Sequence, residues 1–204
     1  IALSEDLLDG YRAFATKIWN AARFIFRHIE EGDTLPTLAE LRQSELSIAD
    51  RWILSRLQAL IPTVHKGLED FELDKSANAL YEFSWYELCD WYIEFSKIPL
   101  RQGGVAREQT LITLGHVLEQ TFRLLHPIMP FVTEELWQSL PWKKAASTPA
   151  RVRDGRAPVM TLMFQAFPKA REAWVDLEAE RTIRRLQNLI EAIRNFRGEN
   201  NISP

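Results

Sequence analysis

The stretch ANALYEFSWYELCDWYIEFSK, residues 77–97, decides the fold class. It holds neither proline nor glycine, and Tyr81, Trp85, Leu88, Tyr92 and Phe95 follow one another at intervals of four, three, four and three. With 3.6 residues per turn, those intervals put all five in one stripe along a helix. So wide an apolar stripe must be covered by other helices, so the stretch predicts one member of a bundle, running from about Asp74 to a stop at Pro99. Trp85, Cys89 and Trp91 are expected in the interior of that bundle.

The segments on either side carry the same period. Upstream, Leu7, Leu8, Tyr11, Phe14, Ala15, Ile18, Ala22, Ile25, Phe26 and Ile29 form a first helix, with Ser4 as its N-cap and an end near Gly32. Residues 32–46 contain Pro36 and read as a connector. Ser47 or Asp50 opens a second helix through RWILSRLQALIPTVHKGLEDF (51–71), kinked at Pro62. Downstream, REQTLITLGHVLEQTFRLLH (107–126) is a long helix halted by Pro127, PIMP (127–130) is a corner, and FVTEELWQSL (131–140) is a short helix stopped by Pro141. Residues 143–158 lack any period and read as a basic surface loop. VMTLMF (159–164) is a short extended segment with no second strand to pair with. From Lys169 a final helix carries Ile183, Leu186, Leu189, Ile190, Ile193 and Phe196 on one side and is capped by Gly198. The predicted fold is all-α: an antiparallel bundle of four to five long helices with short helices and a basic loop. One domain spans 1–204, with the main bundle in 1–142, the basic loop and extended segment in 143–168, and the C-terminal helix in 169–204.

Composition narrows the function. The 204 residues are 46% hydrophobic and 26% charged, with seven Trp and eleven Phe, which suits a globular domain with a sizeable core. The lone Cys89 has no disulfide partner, no apolar run is long enough to span a membrane, and acids stand where a signal peptide would be basic; a cytoplasmic protein is expected. A net charge of −3 argues mildly against a nucleic-acid binder, but the charge is uneven. Residues 1–142 hold 13 Lys and Arg against 21 Asp and Glu, and 143–204 hold 12 against 7.

Motifs for catalysis are lacking. The GG at 103–104 has neither the pattern nor the lysine of a phosphate loop. His28, His65, His116 and His126 lie on separate elements without ligand spacing, and no metal is expected. Cys89, flanked by aromatics, reads as a small core residue and not as a nucleophile. Glu87, Asp90 and Glu94 share a helix face with Lys97, and read as an ion-pair seam in preference to an acid–base pair. No catalytic residue is assigned.

The remaining signal lies in KIWNAARFIFRHIEEG, residues 17–32. Arg12, Thr16, Asn20, Arg23 and Arg27 fall within about 80° of one another at 100° per residue, opposite the apolar arc, with Trp19 at the margin. An ordinary wet face mixes both signs; cations, an amide and a hydroxyl instead suit phosphates, base edges and stacking. These residues are the candidate RNA-binding set. Arg181, Arg184 and Arg185 on the C-terminal helix are secondary candidates.

NAARF after KIW, ADRWILSRL (49–57), ALYEFSWYELCDWYIEFSK (79–97), LLHPIMPFVTEELWQSLP (124–141) and IRNFRGENNISP (193–204), in this order, resemble the helical anticodon-binding domain of valyl-tRNA synthetases. CDWYIE (89–94) is the most specific piece, and 143–178 is the part least similar. The resemblance implies a module that binds the anticodon arm of valine tRNA within a larger enzyme, which activates valine with ATP and charges that tRNA. The HIGH and KMSKS-type signatures are absent, so ATP and magnesium belong to a catalytic domain of the same polypeptide, no cofactor is expected in this fragment, and the fragment alone is expected to be non-catalytic. A monomeric parent is implied. The long basic segment 143–158 and the acids Glu30 and Glu31 beside His28 depart from the family pattern. Two alternatives are an isoleucyl- or leucyl-tRNA synthetase bundle and a helical scaffold that binds protein through apolar grooves. Steep salt dependence favours RNA over the scaffold.

Overall fold

The computed structural model describes residues 5–29, 41–140 and 161–202. Seven α-helices and one π-helical segment make up most of them: α1 (Glu5–Phe26), α2 (Ile48–Glu69), α3 (Leu73–Glu82), the π segment (Phe83–Tyr92), α4 (Ile93–Gln102), α5 (Gly104–Leu125), α6 (Pro130–Ser139) and α7 (Leu177–Glu199). There is no strand among the described residues. The Ser4 cap, the connector around Pro36, the stop at Pro141 and the basic loop 143–158 lie outside them.

α5 is the centre. From Gln109 to Leu125 it is buried on nearly every side, which explains why its sequence is apolar around most of its circumference. α2 begins with a capping box: Asp50 N–H donates to Ser47 Oγ at 3.1 Å, and Ser47 N–H donates back to Asp50 Oδ2 at 3.1 Å. The same carboxylate is buried and accepts from Tyr92 Oη–H at 2.6 Å, Ser47 Oγ–H at 2.6 Å and Thr110 Oγ1–H at 3.3 Å. One acid thus ties the start of α2 to the π segment and to α5. Its pKa is raised by burial, an effect that the four donors oppose.

The stretch that decides the fold is helical, but not one regular α-helix. The buried positions Leu80, Ser84, Leu88, Tyr92, Ser96 and Leu100 recur every four residues. Four residues overshoot a turn by about 40° in an α-helix, and undershoot it in a π-helix, whose bonds run from i to i+5. Alternating α, π and α turns therefore keeps all six on one line. The expected stripe shifts accordingly: Leu88 and Tyr92 are buried, whereas Tyr81, Trp85, Cys89, Trp91 and Phe95 are half-buried and pack against the core from its edge. The helix also passes through Pro99 and ends at Gln102, where Gly103 turns the chain with φ +78.

Other ends differ from expectation. α1 stops at Phe26, short of Gly32, where His28 Nδ1 donates to Phe24 O at 2.9 Å and Arg107 donates to His28 O at 2.7 Å. Residues 161–164 form no extended segment; Leu162–Phe164 is a 3₁₀ turn. The C-terminal helix starts at Leu177, after a strap and a 3₁₀ turn at Glu172–Trp174, and not at Lys169. It runs through Gly198. Asn201, at φ 50, supplies the left-handed residue, with Ile202 N–H on Arg197 O (2.9 Å) and Asn201 N–H on Gly198 O (3.3 Å).

Helix direction follows from the cross-links. Val64–Ser76, Arg56–Glu87 and Asp50–Tyr92 step away from the α2–α3 turn, so these helices are antiparallel. The strap also runs against α2, through His65–Pro168, Gln58–Arg171 and Ser55–Asp176. Having returned to the start of α2, the chain enters α7, whose start pairs Asp176 with Arg51 and Glu180 with Arg56, and whose far part brings Arg194 to the Trp91 ring. Only Ala179 and Ile183 of α7 are buried; Leu186, Leu189, Ile193 and Phe196, expected to pack inward, are exposed, because α2 meets only the first turns of α7.

Candidate nucleic-acid interface

α1 is anchored by Phe14, Ile18, Ala21, Ala22 and Ile25, all buried against the π segment, α5 and α6. Anchoring that arc turns the opposite one to solvent, and Arg12, Thr16, Asn20, Arg23 and Arg27 are all exposed there. Among the described residues, Thr16, Asn20, Arg23 and Arg27 have no side-chain hydrogen bond or ion pair. Trp19, 40% exposed, stands at the edge of the strip. Arg27 follows the last helical residue, yet its N–H still reaches Arg23 O at 3.2 Å, which keeps it close to the line of the strip.

Arg12 differs. It pairs with Asp9 at 3.2 Å, and Asp9 falls on the same face, so the strip carries both signs at its N-terminal end. The single-signed part is the C-terminal half, from Thr16 to Arg27.

A groove of about 510 Å³ adjoins that half, lined by Ala13, Thr16, Lys17, Asn20, Ala21 and Phe24 of α1 and by Cys89 and Ile93 opposite. Asn20 and Thr16 set polar groups on its α1 side, and the rest is largely apolar. Sequence reasoning missed Lys17, which lies off the strip: its ammonium sits 4.1 Å from the Trp85 ring centroid and 2.5 Å from Asp90 Oδ1. Only tertiary packing brings these together. Trp85 in turn stacks on Tyr81 at 5.4 Å. Burial pushes the Cys89 thiol up to about 12, with nearby Asp90 adding to the rise and Lys17 opposing it, so Cys89 is a protonated wall of the groove at neutral pH.

The acids of the third helix each hold a cation. Arg56 donates to both oxygens of Glu87 at 2.9 Å, Lys17 reaches Asp90, and Lys97 reaches Glu94 at 2.5 Å. Asp90 and Glu87 form an ion-pair seam toward α1 and α2, while Glu94 pairs within its own helix, and no substrate cleft opens between these carboxylates. On α7, Arg181, Arg184 and Arg185 are exposed and have no ion pair among the described residues. They adjoin the exposed apolar side chains of that helix, and no hydrogen bond or ion pair among the described residues joins them to the α1 strip. Arg194, further along, lies 5.4 Å from the Trp91 ring centroid.

Residues 50–204 match the family model described as the anticodon-binding domain of tRNA ligase. The chain is 40% identical over 205 residues to the valine–tRNA ligase of Syntrophotalea carbinolica, a match covering all of this chain and 21% of that protein. The valine–tRNA ligases of Desulfotalea psychrophila and Pseudothermotoga lettingae are also 40% identical, over 205 and 204 residues, with the same coverage. The chain therefore spans about a fifth of the length of these relatives. Among solved structures, LeuRS in the ternary complex of Agrobacterium radiobacter K84 agnB2 LeuRS, tRNA and LeuAMS shares the fold, with a TM-score of 0.58 and 16% identity over 86% of this chain and 18% of that one.

Proposed function

Starting from the premise that the chain belongs to the anticodon-binding domain family of tRNA ligases, we propose that it is the anticodon-arm-reading module of a valine–tRNA ligase. The parent enzyme activates valine with ATP and magnesium in a catalytic domain of the same polypeptide, works as a monomer in the cytoplasm, and charges valine tRNA. This part holds the tRNA and performs no chemistry. Identity of 40% to valine–tRNA ligases along the whole chain supports the choice of amino acid.

The observation that carries the reading is the unpaired C-terminal half of the α1 strip. Arg23 and Arg27 are solvent-facing cations with no carboxylate partner among the described residues, set one turn apart, and phosphates spaced along an RNA strand complement them. Asn20, between them and the groove, has a free amide able to donate and accept at a base edge, and Trp19 offers a ring for stacking. Arg12 contributes less, because Asp9 competes for it.

The test is a titration of anticodon stem-loops from valine and other tRNAs at two salt concentrations. Arg23→Ala and Arg27→Ala weaken all stem-loops alike and lower the salt slope by about 1 each, whereas Asn20→Ala costs about 1–3 kcal/mol and relaxes discrimination. All three side chains are exposed, so thermal melting stays at the parent value. A triple substitution that leaves valine stem-loop affinity intact refutes the assignment and moves the contact to Arg181, Arg184 and Arg185.

A further inference from the structure

The strap that reverses the chain before α7 crosses α2 and α5 and encloses a cavity of about 360 Å³ against them. Its backbone is fixed at three points by side chains of those helices. Arg123 Nη1 donates to Ala166 O at 2.9 Å, His65 Nε2 donates to Pro168 O at 2.7 Å, and Arg171 N–H donates to Gln58 Oε1 at 2.8 Å. The strap is therefore held by main-chain contacts, while its own cations, Lys169 and Arg171, are left out of the bonding. Both line the cavity, and neither has an ion pair or side-chain hydrogen bond among the described residues.

Arg123, the third cation of the lining, is neutralised by Glu119, one turn before it on α5. Lys169 and Arg171 thus leave an uncompensated double positive charge at the cavity in a chain whose net charge is −3. The inner wall presents His116 and Gln120, and Phe167 contributes an apolar side. Burial, followed by the charges of Arg171 and Arg123, pushes His116 down to about 4, so at neutral pH the imidazole is uncharged and available as a hydrogen-bond donor. Cations gathered around one cavity, beside its apolar wall, attract an anion more strongly than a single cation on an open surface.

We propose that the cavity between the strap and α5, with Lys169, Arg171, Arg123, His116 and Gln120 as its donors, is a binding site for phosphate-class anions, separate from the α1 strip. The guanidinium of Arg171 and the remaining N–H groups of Arg123 suit the tetrahedral oxygens, and Lys169 supplies a point charge at the mouth. The phosphate comes either from a free ligand or from the backbone of a bound RNA.

Calorimetric titration of the 204-residue chain with inorganic pyrophosphate at low salt tests it. Saturable binding at a stoichiometry of one is expected, and Lys169→Ala with Arg171→Ala together weaken it at least tenfold. Both side chains are exposed and unpaired, so the double variant melts with the parent. Arg171→Lys, which retains charge but not the fork, recovers part of the affinity. A second arm titrates a tRNA stem-loop into parent and double variant with and without saturating pyrophosphate. Weaker RNA binding by the variant, together with competition by pyrophosphate, identifies an RNA phosphate as occupant; unchanged RNA binding alongside retained pyrophosphate binding identifies a free one. Absence of saturable pyrophosphate binding to the parent, or a double variant that binds pyrophosphate as the parent does, overturns the proposal, and neither result bears on Asn20, Arg23 or Arg27.

Discussion

Replacing Tyr92 by Phe removes one oxygen from the most constrained polar site in the bundle. Tyr92 is fully buried, and its hydroxyl donates at 2.6 Å to Asp50, itself buried at the junction of α2, α5 and the π segment. The substitution keeps the ring, so no cavity opens; what changes is that a buried carboxylate loses one donor. A hydrogen bond to a charged group contributes about 1.5–3 kcal/mol, which for a domain of this size lowers Tm by roughly 3–12 °C. Ser47 and Thr110 still donate to Asp50, so the fold survives. The cost also varies with pH. Burial raises the folded pKa of Asp50 above the ordinary carboxylate value, so the folded state binds the proton more readily than the unfolded chain. The contribution of Asp50 to stability is therefore fully present below the unfolded pKa and is lost as pH rises through the folded one. Tyr92 limits that loss by stabilising the carboxylate, so Tyr92→Phe costs most where Asp50 is ionised and less as pH falls into the carboxylate range. At the alkaline end, the phenol of Tyr92 is held well above its ordinary pKa by burial, and then by its contact with Asp50. The unfolded tyrosine ionises first, so above about pH 10 the parent carries a loss of stability from this residue that the phenylalanine variant lacks. Denaturant melts from acid to alkaline pH should show a difference largest in the middle of the range. A Tyr92→Phe protein with parental stability at pH 7, or a cost independent of pH, refutes the reasoning.

Two further substitutions test the packing. A Cβ at Gly67 would lie 2.2 Å from Ser76 Oγ and 3.1 Å from Glu72 O, so Gly67→Ala pushes α2 and α3 apart at their turn and lowers stability by about 1–3 kcal/mol in a denaturant melt. Adding Ser76→Ala relieves the closer clash but not the backbone one, and recovers only part; full parental stability in the single variant contradicts the close approach. Trp85→Ala removes a half-buried ring that stacks on Tyr81 and lies under Lys17, and so costs less than the 3–5 kcal/mol typical of a core aromatic, about 2 kcal/mol. A loss of 4 kcal/mol or more would place Trp85 in the core after all.

The all-helical class, the helices of the main bundle and the exposure of the α1 strip were legible in the sequence, because apolar spacing reports directly which arc of a helix is buried. Ser47 with Asp50 was a local signal of the start of α2. Spacing alone did not reveal the π segment: a stripe at intervals of four and three fits an α-helix, and only the neighbours that Leu80, Ser84, Leu88 and Tyr92 had to meet decided where the turns widened. Nor does periodicity say how far a helix stays against its neighbour, so Leu186, Leu189, Ile193 and Phe196 read as core although α2 covers only the first turns of α7. Lys17 over Trp85, the Asn20 groove, and the strap cations Lys169 and Arg171 beside His116 join residues far apart in the chain. The sequence by itself determined the fold class and which residues of α1 face outward, since those depend on local periodicity. The tertiary structure decided which charges found partners and which stayed unpaired, because pairing is set by distances between elements and not by spacing within them.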